Sequence, residues 1–359
     1  MKLFRFVFVA LLFIGSSAAL HAEPYLAVQQ GLKCAMCHVN PTGGGMRNTF
    51  GQVFGQTQLP QQHVDTGEPW TGEINRFLAI GGDFRAALNE TDIPHQDETS
   101  SFDTEELRVY LDVRAIPDRL SVYIDQRLAP GGSDNMEVYG KLWFDNQRFY
   151  VKAGQMYLPY GLRLQDDGAF IRQAPGINFQ TPDRGVETGL EIGPWSAQLA
   201  ISNGTGGGSE DDTGKQYSLR AEHVQSVWRA GASVNFNDAD VGQRQMQNIF
   251  AGVRTGPIAW LAEADYIIDK SFEPKRKQAV GLIEANWRIR QGNNLKLTAE
   301  YFDADRDVSE DQQNRYSVVY EWTPLQFVQL RVGARFFDGI PQNDLQNRKV
   351  FFAQIHGYF

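Results

Sequence analysis

Long apolar runs are what this chain of 359 residues lacks. Apart from a short stretch at its start, no segment approaches the roughly eighteen consecutive apolar residues that a membrane-spanning helix needs, so a helical membrane protein is excluded. Mean hydropathy is −0.40. Cysteine is nearly absent, with two residues in all, which rules out a disulfide-built scaffold. Basic charge is scarce too: 34 Lys and Arg stand against 43 Asp and Glu, for a formal charge of −9. A chain this acidic is a poor partner for nucleic acid. Aromatic residues, at 12%, and 35 glycines are what it has in quantity.

The short apolar stretch comes first. Lys2 and Arg5 precede the run Phe6 to Ile14, and small residues lead to Leu20-His21-Ala22. A charged start, a brief hydrophobic core and a small-residue site predict an export signal over residues 1–22, cleaved after Ala22. An N-terminal anchor is the alternative, but the run is too short to cross a bilayer. Cleavage removes Lys2 and Arg5 and no acid, taking the formal charge from −9 to −11.

From Glu73 onward the chain alternates with period two. In Leu107-Arg108-Val109-Tyr110-Leu111-Asp112-Val113-Arg114 the odd positions are apolar and the even ones charged or aromatic. Such segments have one greasy and one polar face, as lipid-facing and lumen-facing residues alternate in a transmembrane barrel. About sixteen of them occur, centred near residues 80, 109, 124, 140, 152, 188, 198, 220, 232, 250, 262, 284, 299, 319, 332 and 353. Tight turns are expected at Pro117-Asp118, Asn146-Gln147, Gly193-Pro194, Gly256-Pro257, Gly292-Asn293 and Pro324-Leu325. Longer loops are expected over 89–103, 158–184, 203–214, 269–276, 304–313 and 338–347. Short turns at one end and long loops at the other are the outer-membrane arrangement, and they put both chain ends in the periplasm. The last strand alternates Phe351, Ala353, Ile355, Gly357 and Phe359 to the final residue, which resembles the assembly signal of outer-membrane barrels. The expected fold is therefore all-β: a transmembrane antiparallel β-barrel over residues 71–359. A soluble β-sandwich requires neither the terminal Phe nor two classes of connection.

Residues 23–70 lack the alternation and are too few for a core of their own. They hold both cysteines, in Cys34-Ala35-Met36-Cys37-His38. C-x-x-C-H is the attachment spacing of c-type haem: two thioethers tether the macrocycle and the following imidazole ligates iron. A redox-active dithiol, a disulfide or half of a zinc site would be the other uses. A zinc site needs more Cys or His nearby, and a thioredoxin-like dithiol needs a βαβ context. One covalently attached haem c is thus expected on Cys34, Cys37 and His38, serving the segment as its core. Met46 and His63 are the candidates for the distal iron position, with Met46 slightly preferred; His356, aimed at the lumen by the parity of the last strand, is a third, and an open position remains.

A signal, one minimal C-x-x-C-H segment and a porin-like barrel together resemble the fused monohaem cytochrome–porins of iron-oxidising bacteria. The local likeness runs from Leu26 to Lys33 before the motif and from Phe50 to Phe54 after it, while Asn40-Pro41-Thr42-Gly43-Gly44-Gly45 replaces a more aromatic spacer. Lys152-Ala153-Gly154-Gln155 through Pro159-Tyr160-Gly161-Leu162 also looks like a passage of phosphate-selective porins. The resemblance implies a site in the outer membrane, with the N-terminal haem segment facing the periplasm or the lumen. It implies electron transfer between an extracellular donor, Fe(II), and periplasmic c-type cytochromes, by an electron-transfer protein rather than a conventional enzyme. A diffusion porin whose haem segment is a gate, sensor or structural plug is the competing function; a peroxidase ranks last. Acid clusters at Asp92, Asp97 and Glu98; Asp166 and Asp167; Glu210, Asp211 and Asp212; and Asp303 to Asp311 suit hard divalent cations or plain solvation. The loop from Pro159 to Arg184, with Arg163 and Arg172, is long enough to be functional and is expected to fold inward or to lie on the surface.

Overall fold

The computed structural model describes residues 23–65, 67–210 and 212–359. The signal expected over 1–22 and the acid Asp211 lie outside the described residues.

Strand β1 (Glu73–Asn75) is a short lead-in paired with the start of β2 (Leu78–Asp92). Then follow β3 (Thr99–Ile116), β4 (Leu120–Ala129), β5 (Asp134–Phe144), β6 (Phe149–Met156), β7 (Asp183–Ile192), β8 (Trp195–Ser202) and β9 (Gln216–Val224). The second half comprises β10 (Trp228–Ala239), β11 (Gly242–Thr255), β12 (Ile258–Asp269), β13 (Arg276–Arg290), β14 (Asn293–Asp303), β15 (Gln312–Leu325), β16 (Val328–Asp338) and β17 (Lys349–Tyr358). Each of β2 to β17 pairs antiparallel with the next, and β17 closes on β2 from Lys349↔Asp92 to Tyr358↔Asp83. The result is a closed, sixteen-stranded barrel, and all sixteen expected strand centres fall within strands.

Burial follows the alternation. Along β12 buried Ala259, Leu261, Glu263 and Asp265 alternate with outward residues such as Trp260, and on β3 the buried set is Glu106, Arg108, Tyr110 and Asp112. The inward face of a membrane barrel is polar. Here its charges neutralise one another: Arg108 binds Glu106 and Asp125, the latter at 3.0 Å, and Lys152 binds Glu187 at 3.2 Å. Exposed Trp195, Trp228, Trp260 and Trp287 ring the short-turn end, while Tyr217, Tyr301, Tyr316, Phe336 and Phe351 ring the long-loop end. Two such aromatic girdles mark the interfaces of a bilayer.

Expected boundaries shift along the chain, most clearly at two places. Pro324-Leu325 lies inside β15, and the turn is Gln326-Phe327, where Phe327 takes φ 70°. The loop expected over 89–103 contracts to 93–98, because β2 and β3 stay paired from Asn89↔Ser101 to Thr91↔Thr99. Beyond the apolar band both faces of a strand are polar, so alternation no longer marks it.

The lumen is filled from both ends. Residues 23–65 form α1 (Pro24–Gln30), a single 3-10 turn (Cys34–Met36) and α2 (Thr49–Thr57). Pro at the first helical position and Gly31 at φ 64° bound α1, as helix starts and stops favour. Asn48 caps α2 by accepting from the Gly51 amide at 3.0 Å. The segment then pairs with the short-turn rim, Gln61 N donating to Thr323 O at 2.8 Å and Gln62 N to Pro324 O at 3.0 Å. From the long-loop side residues 157–182 fold inward, burying Leu158, Tyr160, Leu162, Leu164, Ile171 and Phe179, and include the short helix α3 (Phe170–Gln173). Of the two readings of this loop, the inward one is what the structure has.

Candidate functional site

The 3-10 turn builds the site. The amides of Cys37 and His38 both donate to Cys34 O, each at 3.1 Å, a curl that brings both thiols and the imidazole to one internal cavity. His38 is buried, both cysteines are half-buried free thiols, and the cavity opens to solvent, with about 780 Å³ of empty space when that open part is counted. Burial pushes the Cys37 thiol up to about 11; the Cys34 thiol adds to the rise and the Arg47 guanidinium opposes it. Redox-active dithiols depend on a lowered thiol pKa, the opposite of the direction at Cys37.

The glycine run explains the return of the chain. Gly43, Gly44 and Gly45 take φ of 88°, 78° and 60°, which other residues rarely adopt. A Cβ on Gly43 would sit 3.4 Å from Cys34 Sγ, and one on Gly44 would lie 2.5 Å from the Phe179 ring. The turn lets Arg47 bridge antiparallel to His38, with Val39 N donating to Met46 O at 3.0 Å. Gly51 allows α2 to close over the motif, since a Cβ there would meet Cys37 O at 2.2 Å.

The wall holds this segment by named contacts. Asn40 Nδ2 donates to Glu137 at 2.8 Å, and Met46 N donates to Tyr123 Oη at 2.9 Å. Tyr25 Oη donates to Glu321 at 2.9 Å, Lys296 pairs with Glu23 at 2.8 Å, and Lys33 pairs with Glu191 at 2.7 Å. Arg163, from the inward loop, donates to Thr42 Oγ1 and Gly43 O at 2.7 Å each. The segment at the short-turn end and the loop from the opposite end therefore meet across the motif.

Of the residues expected to carry the site, Cys34, Cys37 and His38 come together. Met46 does not join them: adjacent residues of a strand pair face opposite ways, so Met46 and Val39 pack on the wall with Tyr110, Tyr123, Tyr139 and Met156, while His38 and Arg47 line the cavity. His63 is exposed at the short-turn rim, where Val64 N donates to Gln326 at 3.0 Å. His356 is buried in the lumen, as its parity indicates, but beside Asp83 at 3.3 Å and Gln329 at 3.2 Å rather than at the cavity. Arg47, Arg220 and Arg229 line the cavity and were not picked out by sequence; their signal would have been cations beside or facing the motif. The loop acids do not converge: Asp166 pairs with Arg315 and Arg335, Asp307 with Lys277, and Asp92 with Lys349. Among the described residues no cluster of three or more His, Cys, Asp or Glu is placed to hold a metal ion.

The residues present fit a c-type haem. Two thiols and an imidazole share one cavity, a Cβ at Gly43 would crowd the first thiol, and Leu26, Leu32, Phe54, Leu59 and Leu162 supply apolar walls.

No protein-family model matches the chain, and no curated protein matches its sequence. Solved structures do resemble it. The outer membrane protein OmpT of Vibrio cholerae in trimer form aligns with a TM-score of 0.62 at 11% identity, covering 79% of this chain and 99% of its own. The anion-selective porin of Comamonas acidovorans gives 0.63 at 10%, with 79% and 99% covered. OprB of Pseudomonas putida gives 0.62 at 10%, with 79% and 94% covered. At such identities the likeness is one of fold: this chain has the β-barrel fold of outer-membrane porins.

Proposed function

We propose that the chain is an outer-membrane barrel that carries one haem c, joined to Cys34 and Cys37, within its lumen, and that it passes electrons between an extracellular donor and periplasmic c-type cytochromes. The observation that carries the reading is the convergence of Cys34, Cys37 and His38 on one cavity inside the barrel. A bound haem supplies reversible one-electron chemistry. Cys34 and Cys37 would hold its edge and His38 its iron, while Leu26, Phe54 and Leu162 keep water from it. Position matters here. The apolar band of such a barrel is about 25 Å tall, so a group hung below the membrane would not reach the outer side, whereas one in the lumen shortens the gap from both mouths. The inward loop 157–182 and the segment 23–65 leave the lumen occupied where an open porin has water. Fe(II) is the donor that the family resemblance implies.

A second reading is favoured by the structural neighbours, which are porins: a diffusion porin for small solutes in which residues 23–65 act as a gate, sensor or structural plug. Rapid mixing of the purified protein with Fe(II) separates the two. Fast reduction of the haem supports electron transfer; no reduction, together with solute flux through the protein in liposomes, overturns it in favour of the porin.

A further inference from the structure

The N-terminal segment shows an apolar face where lipid cannot cover it. Met36 and Phe50 are each 46% exposed. Neither lines the internal cavity, and the barrel wall separates both from the bilayer. They face the mouth at the short-turn end, where Lys33 Nζ donates to Trp195 O at 3.2 Å and Thr49 Oγ1 to Glu73 at 3.1 Å. Asn48 Nδ2 donates to Ala35 O at 3.2 Å and to Met36 O at 3.1 Å, fixing Met36 beside α2. On α2 the Phe50 ring stacks with Phe54 at 6.2 Å, and Val53 is half-buried next to them. This face lies directly over the motif, since Gly51 of α2 packs on Cys37 O. An exposed apolar patch with a polar rim marks a site of interaction.

The rim has a charge on one side. The ends of β11 and β13 and the turns after them carry Arg254, Arg288 and Arg290 and no acid. Arg254 Nη1 donates to Gln29 O at 2.8 Å and Arg288 Nη2 to Gln58 O at 3.5 Å, which sets these cations at the ends of α1 and α2. Elsewhere on the rim the charges come in pairs, Arg114 with Glu73, Arg148 with Asp145 and Lys33 with Glu191. The linker acids Asp65 and Glu68 follow Val64, which is bonded to the next turn at Gln326.

We infer that Met36 and the Phe50 face of α2, with Arg288 and Arg290 at its edge, form the docking surface for a soluble electron carrier. That carrier presents an apolar patch rimmed by carboxylates around its own cofactor. The inference rests on the electron-transfer reading above and adds to it the place and the charge of the partner. Met36 stands between the two cysteines, so a carrier seated on it meets the edge of the haem that they would hold. One electron then passes to the oxidised carrier, which is reduced as ferrous iron becomes ferric. A few half-exposed side chains suit a brief redox encounter; a stable second copy of this chain would need roughly 800 Å² on each partner. Complementary charge sets the encounter rate and the choice of partner.

The test is stopped-flow mixing of the reduced, haem-loaded full chain with two oxidised soluble c-type cytochromes of higher midpoint, one acidic and one basic. The acidic one should react faster at low salt, and the difference should shrink as salt screens the rim. Phe50→Asp sets a carboxylate at the centre of the patch, in the first turn of α2 where an acid suits the helix. It should slow the acidic cytochrome about tenfold at low salt, and Arg288→Gln combined with Arg290→Gln by a similar factor. The haem spectrum and midpoint should stay as they are in both, which separates docking from damage to the haem site. Val241→Ser, at an exposed turn of the long-loop end, should change nothing. A rate with the acidic cytochrome that neither variant moves, or a basic cytochrome that reacts faster, would overturn the inference. No reaction of the unaltered protein with either cytochrome, or a mass showing no covalent haem, would overturn the electron-transfer reading itself.

Discussion

The wall of this barrel and the contents of its lumen are built by different rules. The wall repeats one device sixteen times: a strand with an outward apolar face and an inward polar one. Loss of a single contact there is spread over a ladder of neighbours. Segment 23–65 and loop 157–182 have no ladder. They are held by individual bonds to lumen side chains, Asn40 to Glu137, Tyr25 to Glu321 and Arg108 to Tyr157 and Phe179. The wall is therefore held by many repeated contacts and the contents by few individual ones, and substitutions should divide accordingly.

The sharpest division is expected at Cys37→Ser. Loss of covalent haem should be complete by mass, while the barrel still reaches the membrane and migrates on gels as a folded, heat-modifiable species. A barrel that fails to assemble without haem would erase the distinction between wall and contents.

Arg108→Ala comes next. Arg108 joins Glu106 and Asp125 on the wall to Tyr157 Oη and Phe179 O on the inward loop. Removing one member of a buried charged set costs about 3–5 kcal/mol. Loop 157–182 should loosen and single-channel conductance should rise; unchanged conductance would show that the loop is held elsewhere. Tyr25→Phe removes one hydrogen bond to the Glu321 carboxylate and should cost about 1.5–3 kcal/mol, read as faster proteolysis of residues 23–65 with the barrel intact. The smallest effect belongs to Met46→Leu. Met46 packs against Tyr110, Tyr123 and Tyr139, and a volume-conserving swap there costs less than about 1.5 kcal/mol. The haem spectrum should not change, nor should it in His63→Ala. A spectrum lost in the Met46 variant would place its sulfur on iron after all.

Sequence and structure agree best where periodicity is enforced. All sixteen strands were legible, since each side chain must meet either lipid or lumen, and so were the inward aim of His356 and the outward aim of Phe351 and Phe359. Legibility failed at the rims. β2 and β3 run on past the apolar band, and β15 absorbs Pro324, because solvent does not select between faces. In the N-terminal segment Cys34, Cys37 and His38, which the structure brings to one cavity, were singled out by spacing alone. The side to which Met46 turns was not, for it depends on a return through three left-handed glycines that pairs Arg47, rather than Met46, with His38. The burial of Arg47 and Arg163 at the cavity stayed hidden for the same reason: an arginine reads as solvated until its surroundings are known.

The central claim is that the group bound at Cys34 and Cys37 lies inside the barrel wall. Anomalous diffraction at the iron edge from crystals of the purified protein tests it most directly. The account predicts one iron site within the lumen, in bonding reach of the His38 imidazole and between the short-turn rim and loop 157–182. An iron site outside the barrel, or no iron in the protein, would contradict it.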